Sequence, residues 1–134
     1  MDLIADTTLL VGLWRRQVWA MDFAGQHRSS VIGIPWVVLG EFRHGAIRAG
    51  HAEDEVTRFL ELGLFLLEPE PVVQVYGSVC ARLQEDDAAG YRAIGQNDLW
   101  IAAVAIHHER PLVSRNRRHF GKIAGLKLIV LGAE

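Results

Sequence analysis

Three carboxylates stand where their neighbours give them little ordinary reason to be. Asp6 ends the apolar run Leu3-Ile4-Ala5. Glu41 sits among Val37, Val38, Leu39 and Phe42, and Asp98 opens the apolar run Leu99–Ile106. Each has a plain structural use. Asp is a good helix N-cap, a Glu on an amphipathic helix faces water, and an acid in a helix's first turn suits the helix dipole. Together they allow chemistry. Carboxylates brought close repel, and one takes up a proton unless a cation joins them. Mg²⁺ or Mn²⁺ is the natural cation for clustered carboxylate oxygen and water. Such a centre activates water and holds a phosphodiester for in-line attack. Gly45 lies one turn beyond Glu41 on the same helix face. A mid-helix Gly costs about 1 kcal/mol against Ala, so this spacing predicts that something needs the room beside Glu41.

The elements that must bring the three acids together alternate strand and helix. Leu3–Ala5 reads as a strand, followed by a helix over Thr8–Ala20 with Leu9, Leu10, Leu13 and Trp14 at helical spacing. Val31–Ile34 is β-branched and reads as a second strand. Pro35 suits the first turn of the helix continued by Trp36–Arg48, and Gly50 stops it. A helix over Glu53–Leu62, a short strand over Phe65–Leu67 and a helix over Val72–Gln84 follow. Asp86–Gly95 is polar and reads as loop in part. Asp98–His108 is a helix, Leu112–Ser114 a strand, Arg115–Phe120 a loop or short helical turn, and Leu126–Leu131 the last strand. The alternation predicts an α/β domain with a mostly parallel sheet of four to five strands. In such sheets ligands gather at the carboxyl ends of the strands, where Asp6 falls.

At 134 residues the chain fits one domain, and 50% hydrophobic residues are enough to bury a core. Fourteen Lys and Arg against 16 Asp and Glu give a net charge of −2, which excludes whole-surface attraction to nucleic acid. Charge is uneven, however. Residues 53–87 carry nine acids and two bases, whereas residues 110–127 carry six bases (Arg110, Arg115, Arg117, Arg118, Lys122, Lys127) and no acid. Two solvated faces of opposite sign would account for this, as would a local polyanion patch. Cys80 is the only cysteine, so an intrachain disulfide and a cysteine-based zinc cage are excluded. The acidic start (Asp2, Asp6) is unlike a signal peptide. No apolar run approaches the roughly 20 residues of a membrane span. The expectation is a cytoplasmic protein.

Four ordered blocks carry a resemblance: Asp6-Thr7-Thr8-Leu9-Leu10, Gly40-Glu41-Phe42-Arg43-His44-Gly45, Gly95-Gln96-Asn97-Asp98-Leu99-Trp100-Ile101-Ala102-Ala103 and Leu112-Val113-Ser114-Arg115-Asn116-Arg117-Arg118-His119-Phe120. In this order, over nearly the whole chain, the sequence resembles the PIN-domain family. Within it, the chain resembles the VapC-type toxins of prokaryotic toxin–antitoxin pairs. The resemblance implies a single three-layer α/β/α domain over residues 1–134. It also implies a Mg²⁺- or Mn²⁺-dependent endoribonuclease acting on structured RNA such as tRNA. The metal-binding acids would be Asp6, Glu41 and Asp98. Thr8, Ser114 and Asn116 would orient water or phosphate, His119 could contact phosphate, and Arg115, Arg117 and Arg118 would hold the RNA backbone. A small VapB-like antitoxin and a homodimer are the implied partners.

One departure stands out. Many family members carry a fourth acid at the position of Asn116 or His119, and here neither is acidic. That leaves three consequences open: weak binding of a second metal, substitution by the Asn116 amide, or an impaired enzyme. A catalytically impaired RNA- or protein-binding module is therefore the alternative reading, and a phosphatase of small phosphate esters is a third. The apolar residues Leu9, Leu10, Leu13, Trp14 and Trp19 exceed what one buried stripe needs. The surplus could form a partner groove. Trp36 and Trp100 fit core, dimer interface or partner contact alike.

Overall fold

In the computed structural model, which describes residues 1–132, five short strands build one sheet. They are β1 (Leu3–Ala5), β2 (Ile32–Pro35), β3 (Leu64–Leu66), β4 (Leu112–Ser114) and β5 (Leu128–Val130), in the order β3-β2-β1-β4-β5. Every neighbouring pair is parallel. Ile4 stands level with Gly33 on one side and Leu112 on the other. Eight α-helices surround the sheet: α1 (Thr7–Trp14), α2 (Val18–Gln26), α3 (Trp36–Arg48), α4 (Glu53–Leu60), α5 (Val73–Asp86), α6 (Ala88–Ala93), α7 (Gln96–His108) and α8 (Arg117–Phe120). The result is the expected α/β/α layering. All three residues of β1 and of β4 are buried, so these strands read as continuous apolar runs, not as alternation. Ile4, Ile34, Leu112 and Val113 of the sheet join Leu9 and Leu10 of α1 and Ile101 and Val104 of α7 in one core.

Three expectations change in the structure. The helix over Thr8–Ala20 is two helices. Arg16 takes a left-handed backbone (φ 54°), and α2 folds back on α1. The fold-back is tight at Gly12, where a Cβ would collide with Cη2 of Trp19. Arg15-Arg16-Gln17 carries no helix-breaking residue, so tertiary packing sets this break and local propensity does not. The stretch Asp86–Gly95 holds helix α6, whose N-terminus is capped by Asp87 accepting from the Gly90 N–H at 2.9 Å. Pro35 closes β2 with an extended backbone (ψ 151°), and α3 begins one residue later. Among the described residues, no helix is long and apolar enough to cross a membrane.

Candidate active site

Strands β1 and β4 lie side by side at the middle of the sheet. From β1 the chain crosses to β2 and β3 on one side, then returns to β4 and β5 on the other. This reversal makes the carboxyl ends of β1 and β4 the topological switch point, the usual ligand position in open parallel sheets. Asp6 directly follows β1, and Ser114 is the last residue of β4. They are 3% and 1% exposed, and among the described residues they are the two polar or charged ones in the otherwise apolar core.

Asp6 serves as the helix cap foreseen for it, and two hydroxyls hold it as well. Its Oδ1 accepts from the Leu9 N–H at 3.2 Å, capping α1, and from Thr8 Oγ1 at 2.6 Å. Its Oδ2 accepts from Ser114 Oγ at 2.5 Å. Both hydroxyls are themselves polarised. Thr8 Oγ1 accepts from the Arg115 N–H at 3.2 Å, and Ser114 Oγ from the Asn116 N–H at 2.8 Å. Each hydroxyl takes a hydrogen bond from the backbone beyond β4 and passes one to the carboxylate. Even so, burial pushes the Asp6 carboxyl above its ordinary pKa. The bonds from Ser114, Thr8 and Leu9 pull it back only in part, and the nearby charge of Asp98 adds to the rise. No Lys, Arg or His among the described residues forms an ion pair with Asp6.

Asp98 lies in the first turn of α7, and its Oδ2 stands 3.1 Å from His119 Nδ1 on α8. The same Nδ1 stands 3.1 Å from Asn116 Nδ2, whose Oδ1 caps α8 by accepting from the His119 N–H at 3.1 Å. Carrying a proton, Nδ1 donates to Asp98; bare, it accepts from Asn116. Glu41 is half-buried on α3. Its Oε1 accepts from Thr7 Oγ1 at 2.5 Å and its Oε2 from Asn97 Nδ2 at 3.2 Å. Thr7 and Asn97 were not singled out from sequence, although each adjoins a candidate residue, Thr8 or Asp98. Helical geometry turns neighbours in sequence to different faces, so one member of each pair serves Glu41 and the other its own site.

The three acids therefore meet unevenly. Asp6 and Asp98 feel each other's charge, while Glu41 is bonded to Thr7 and Asn97, the chain neighbours of Asp6 and Asp98. Among the described residues, no group of three or more His, Cys, Asp or Glu side chains is close enough to hold one ion. The chemistry of the donors still suits a hard divalent cation: carboxylate and hydroxyl oxygen, with a buried anion that no side-chain cation neutralises.

Other candidate residues separate. Arg115 leaves the basic cluster. Its guanidinium lies over the Trp19 ring, 4.6 Å from the centroid, and Nη2 donates to the Gly132 carbonyl at 3.1 Å. Arg117 and Arg118 are exposed on α8. The room beside Glu41 is open: a Cβ on Gly45 would meet no atom within 4 Å, and a cavity of about 310 Å³ borders Glu41, Gly45, Trp14 and Arg15. Within the surplus stripe, Leu9 and Leu10 are core. Leu13 and Trp14 line a groove of about 770 Å³ with Met21, Phe59 and Leu62. Trp100 stacks on Tyr76 with ring centroids 3.7 Å apart and meets Trp36 edge-on, and both tryptophans pack against the core.

A parallel α/β domain with paired acids at its central crossover defines a class, and the sequence falls within it. The chain belongs to the PIN domain family, which it matches over residues 3–126. It is 28% identical to Ribonuclease VapC1 of Rickettsia felis over 138 residues, covering 100% of this chain and 99% of that relative. Among solved structures, it resembles a chain of VapBC2 from Rickettsia felis bound to a promoter DNA fragment. That match has a TM-score of 0.79 and 22% identity, over 98% of this chain and 100% of that one. A chain of DNA-bound VapBC from Salmonella typhimurium superposes with a TM-score of 0.82 at 19% identity, over 97% and 98%. At these identities the structural likenesses speak for the fold.

Proposed function

We propose that this protein is an endoribonuclease, the toxin of a toxin–antitoxin pair, that hydrolyses RNA phosphodiester bonds with the help of Mg²⁺ or Mn²⁺. The observation that carries the reading is Asp6. It is a buried carboxylate at the sheet's crossover, held by two hydroxyls and a helix N-terminus, beside a second acid and without a cation of its own. Full-length similarity to a ribonuclease of the VapC group supports the choice of RNA. The VapBC complexes among the structural neighbours support a small antitoxin as partner. Cytoplasmic RNA, with structured species such as tRNA first, is the proposed substrate, and a homodimer is the proposed assembly.

Asp6, Asp98 and Glu41 would hold the cation, which when bound supplies Lewis acidity toward water and a phosphate oxygen. The chain's own part is positioning. Ser114 and Thr8 fix both oxygens of Asp6, so its lone pairs keep one direction. Thr7 and Asn97 do the same for Glu41. His119 steadies Asp98, and Asn116 steadies His119 through the α8 cap. Asn116 and His119 thus take the place of the fourth acid as orienting groups. Unstacked, single-stranded stretches of RNA reach such a site more readily than a regular duplex.

The test is cleavage of a total tRNA pool by purified protein in Mg²⁺, in Mn²⁺ and in EDTA, with Asp98→Asn purified identically. Metal-dependent cutting that the variant lacks is expected. Equal cutting by the variant would refute the role given to Asp98. The non-acidic Asn116 and His119 favour one rival, a binding module without catalysis. It predicts RNA binding that survives Asp98→Asn and no cutting in any metal. Turnover of a generic phosphate ester with intact RNA would favour a phosphatase.

A further inference from the structure

Arg15 is the C-cap of α1, exposed, at the start of the break before α2. It lines two cavities beside the helix that carries Thr7 and Thr8. The cavity of about 310 Å³ has Glu41 in its wall. The other, of about 470 Å³, is walled by Thr7, Thr8, Arg15, Gln17, Trp19 and Arg115 and contains no carboxylate. Two arginines thus line one hollow with no acid in its wall. An anion in a hollow lined by two cations and no acid is attracted by both. The hollow adjoins the acid centre directly, because Thr8 belongs to both: it lines the cavity and donates to Asp6.

The second guanidinium is held with unusual care for an exposed side chain. Trp19 of α2 lies under it, the Gly132 carbonyl beyond β5 accepts from Nη2, and its own backbone N–H is tied to Thr8. Gly132 makes this approach possible: at φ +63° it takes a backbone few other residues adopt, and a Cβ there would lie 2.6 Å from Arg115 Nε. Three separate parts of the chain fix one Arg, a residue whose free side chain samples many rotamers. No carboxylate among the described residues pairs with it. A planar guanidinium so prepared suits bidentate recognition of a phosphate.

We infer that Arg15 and Arg115 form a two-pronged seat for a backbone phosphate of the RNA strand, next to the one at the acid centre, with Trp19 and Gly132 as positioning residues for Arg115. The inference rests on the nuclease reading for its substrate. It also gives the strand a path, over the break between α1 and α2.

The experiment measures binding of a short labelled single-stranded RNA by anisotropy, in EDTA so that cutting does not intervene, across a series of salt concentrations. For a single strand, the slope of log affinity against log salt falls by about 0.7 for every phosphate that is no longer neutralised. Arg15→Ala and Arg115→Ala should each weaken low-salt binding about tenfold and reduce the slope by about that amount. Arg15→Lys should recover most of the slope. Gly132→Ala removes no charge, yet should behave like Arg115→Ala, because position and not net charge is at stake. Arg82→Ala, on α5 and paired with Asp86, is the control and should leave the slope unchanged. Thermal unfolding of each variant confirms the fold. Slopes for Arg15→Ala and Arg115→Ala that match the Arg82→Ala control overturn the seat, and so does a wild type with no salt-dependent binding. The two readings fail separately. If tRNA is cut but the slopes are unchanged, the seat is wrong and the nuclease reading stands. If the slopes fall but tRNA is never cut, the seat stands and the nuclease reading falls.

Discussion

Replacing Asp6 by Asn should end cleavage and, in EDTA, make the protein more stable. The carboxylate is 3% exposed and accepts three hydrogen bonds, at 2.5, 2.6 and 3.2 Å, with no cation paired to it. Those bonds recover much of the cost of burying a charge, yet burial still holds the carboxyl above its ordinary pKa. The ionised form is therefore the disfavoured one in the fold. Asn has the same shape. Its oxygen keeps the bonds from Leu9 and Thr8, and the Ser114 hydroxyl turns to accept from its amide. Removing the charge should then stabilise the apo protein by about 1–2 kcal/mol at neutral pH, or about 4–8 °C in Tm at this chain length. The pH dependence fixes the cause. A carboxyl whose pKa is higher folded than unfolded (about 3.9) binds its proton more tightly in the fold. Wild-type stability therefore rises, relative to the variant, as pH falls through the folded pKa. The advantage of Asp6→Asn should be larger at pH 7 than at pH 4. Mg²⁺ should reverse the ranking. At a hundred times Kd it adds about 2.7 kcal/mol to the wild type and much less to the variant. Thermal scans of both proteins at the two pH values, with EDTA or Mg²⁺, test all of this. An Asp6→Asn protein less stable than wild type in EDTA at pH 7 would show that the hydrogen bonds outweigh the buried charge, and would refute the reasoning.

Glu41→Gln keeps an oxygen for Thr7, so Tm should hold while tRNA cleavage falls about a hundredfold or more, the loss expected from removing one charged oxygen from a divalent centre. Asn116→Asp keeps the α8 cap, since Asp caps as well as Asn, and restores an acid beside Asp98 and His119. The Mg²⁺ concentration for half-maximal cleavage should drop about tenfold, and no change would show that position 116 lies outside the cation's reach. Gly45→Ala should raise unfolding stability by about 1 kcal/mol in a denaturant titration, because the added methyl meets no atom within 4 Å and the helix gains a better former.

The class of fold and the bounds of the two central strands, β1 and β4, were legible because they depend on local pattern, whereas β2, β3 and β5 run one or more residues off their expected bounds. The runs Leu3–Ala5 and Leu112–Ser114 are short, apolar and buried on both faces, which a central parallel strand requires. Asp6 was legible as a candidate because an acid directly after such a run falls at a strand's carboxyl end, where it can both cap the next helix and face a ligand. The break at Arg16 was not. Arg15-Arg16-Gln17 are good helix formers, and the reason to stop is Trp19 closing on Gly12, a contact that exists only once α2 has folded back. Helix α6 was missed for the opposite reason: its cap is Asp87, and the polar composition that suggested a loop supplies that cap. In the site, the acids were named but their holders were not. Thr7 and Asn97 lie 34 and 56 residues from Glu41, and no spacing rule links them to it.

That distance explains how the site is built. In a parallel sheet the residues after each strand emerge at one end, whatever their separation along the chain. Asp6 and Ser114 lie 108 residues apart yet share a hydrogen bond, because β1 and β4 are neighbours at the crossover. The same arrangement makes Arg115 available to the α1–α2 break. Ser114 points into the core toward Asp6, and the next residue emerges toward Trp19. One hydroxyl held inward and one guanidinium held outward, on consecutive residues, place the acid centre and the basic hollow at the same strand end. Thr8 links the two, lining the hollow and donating to Asp6, so the seat inferred for a neighbouring phosphate adjoins the acid centre.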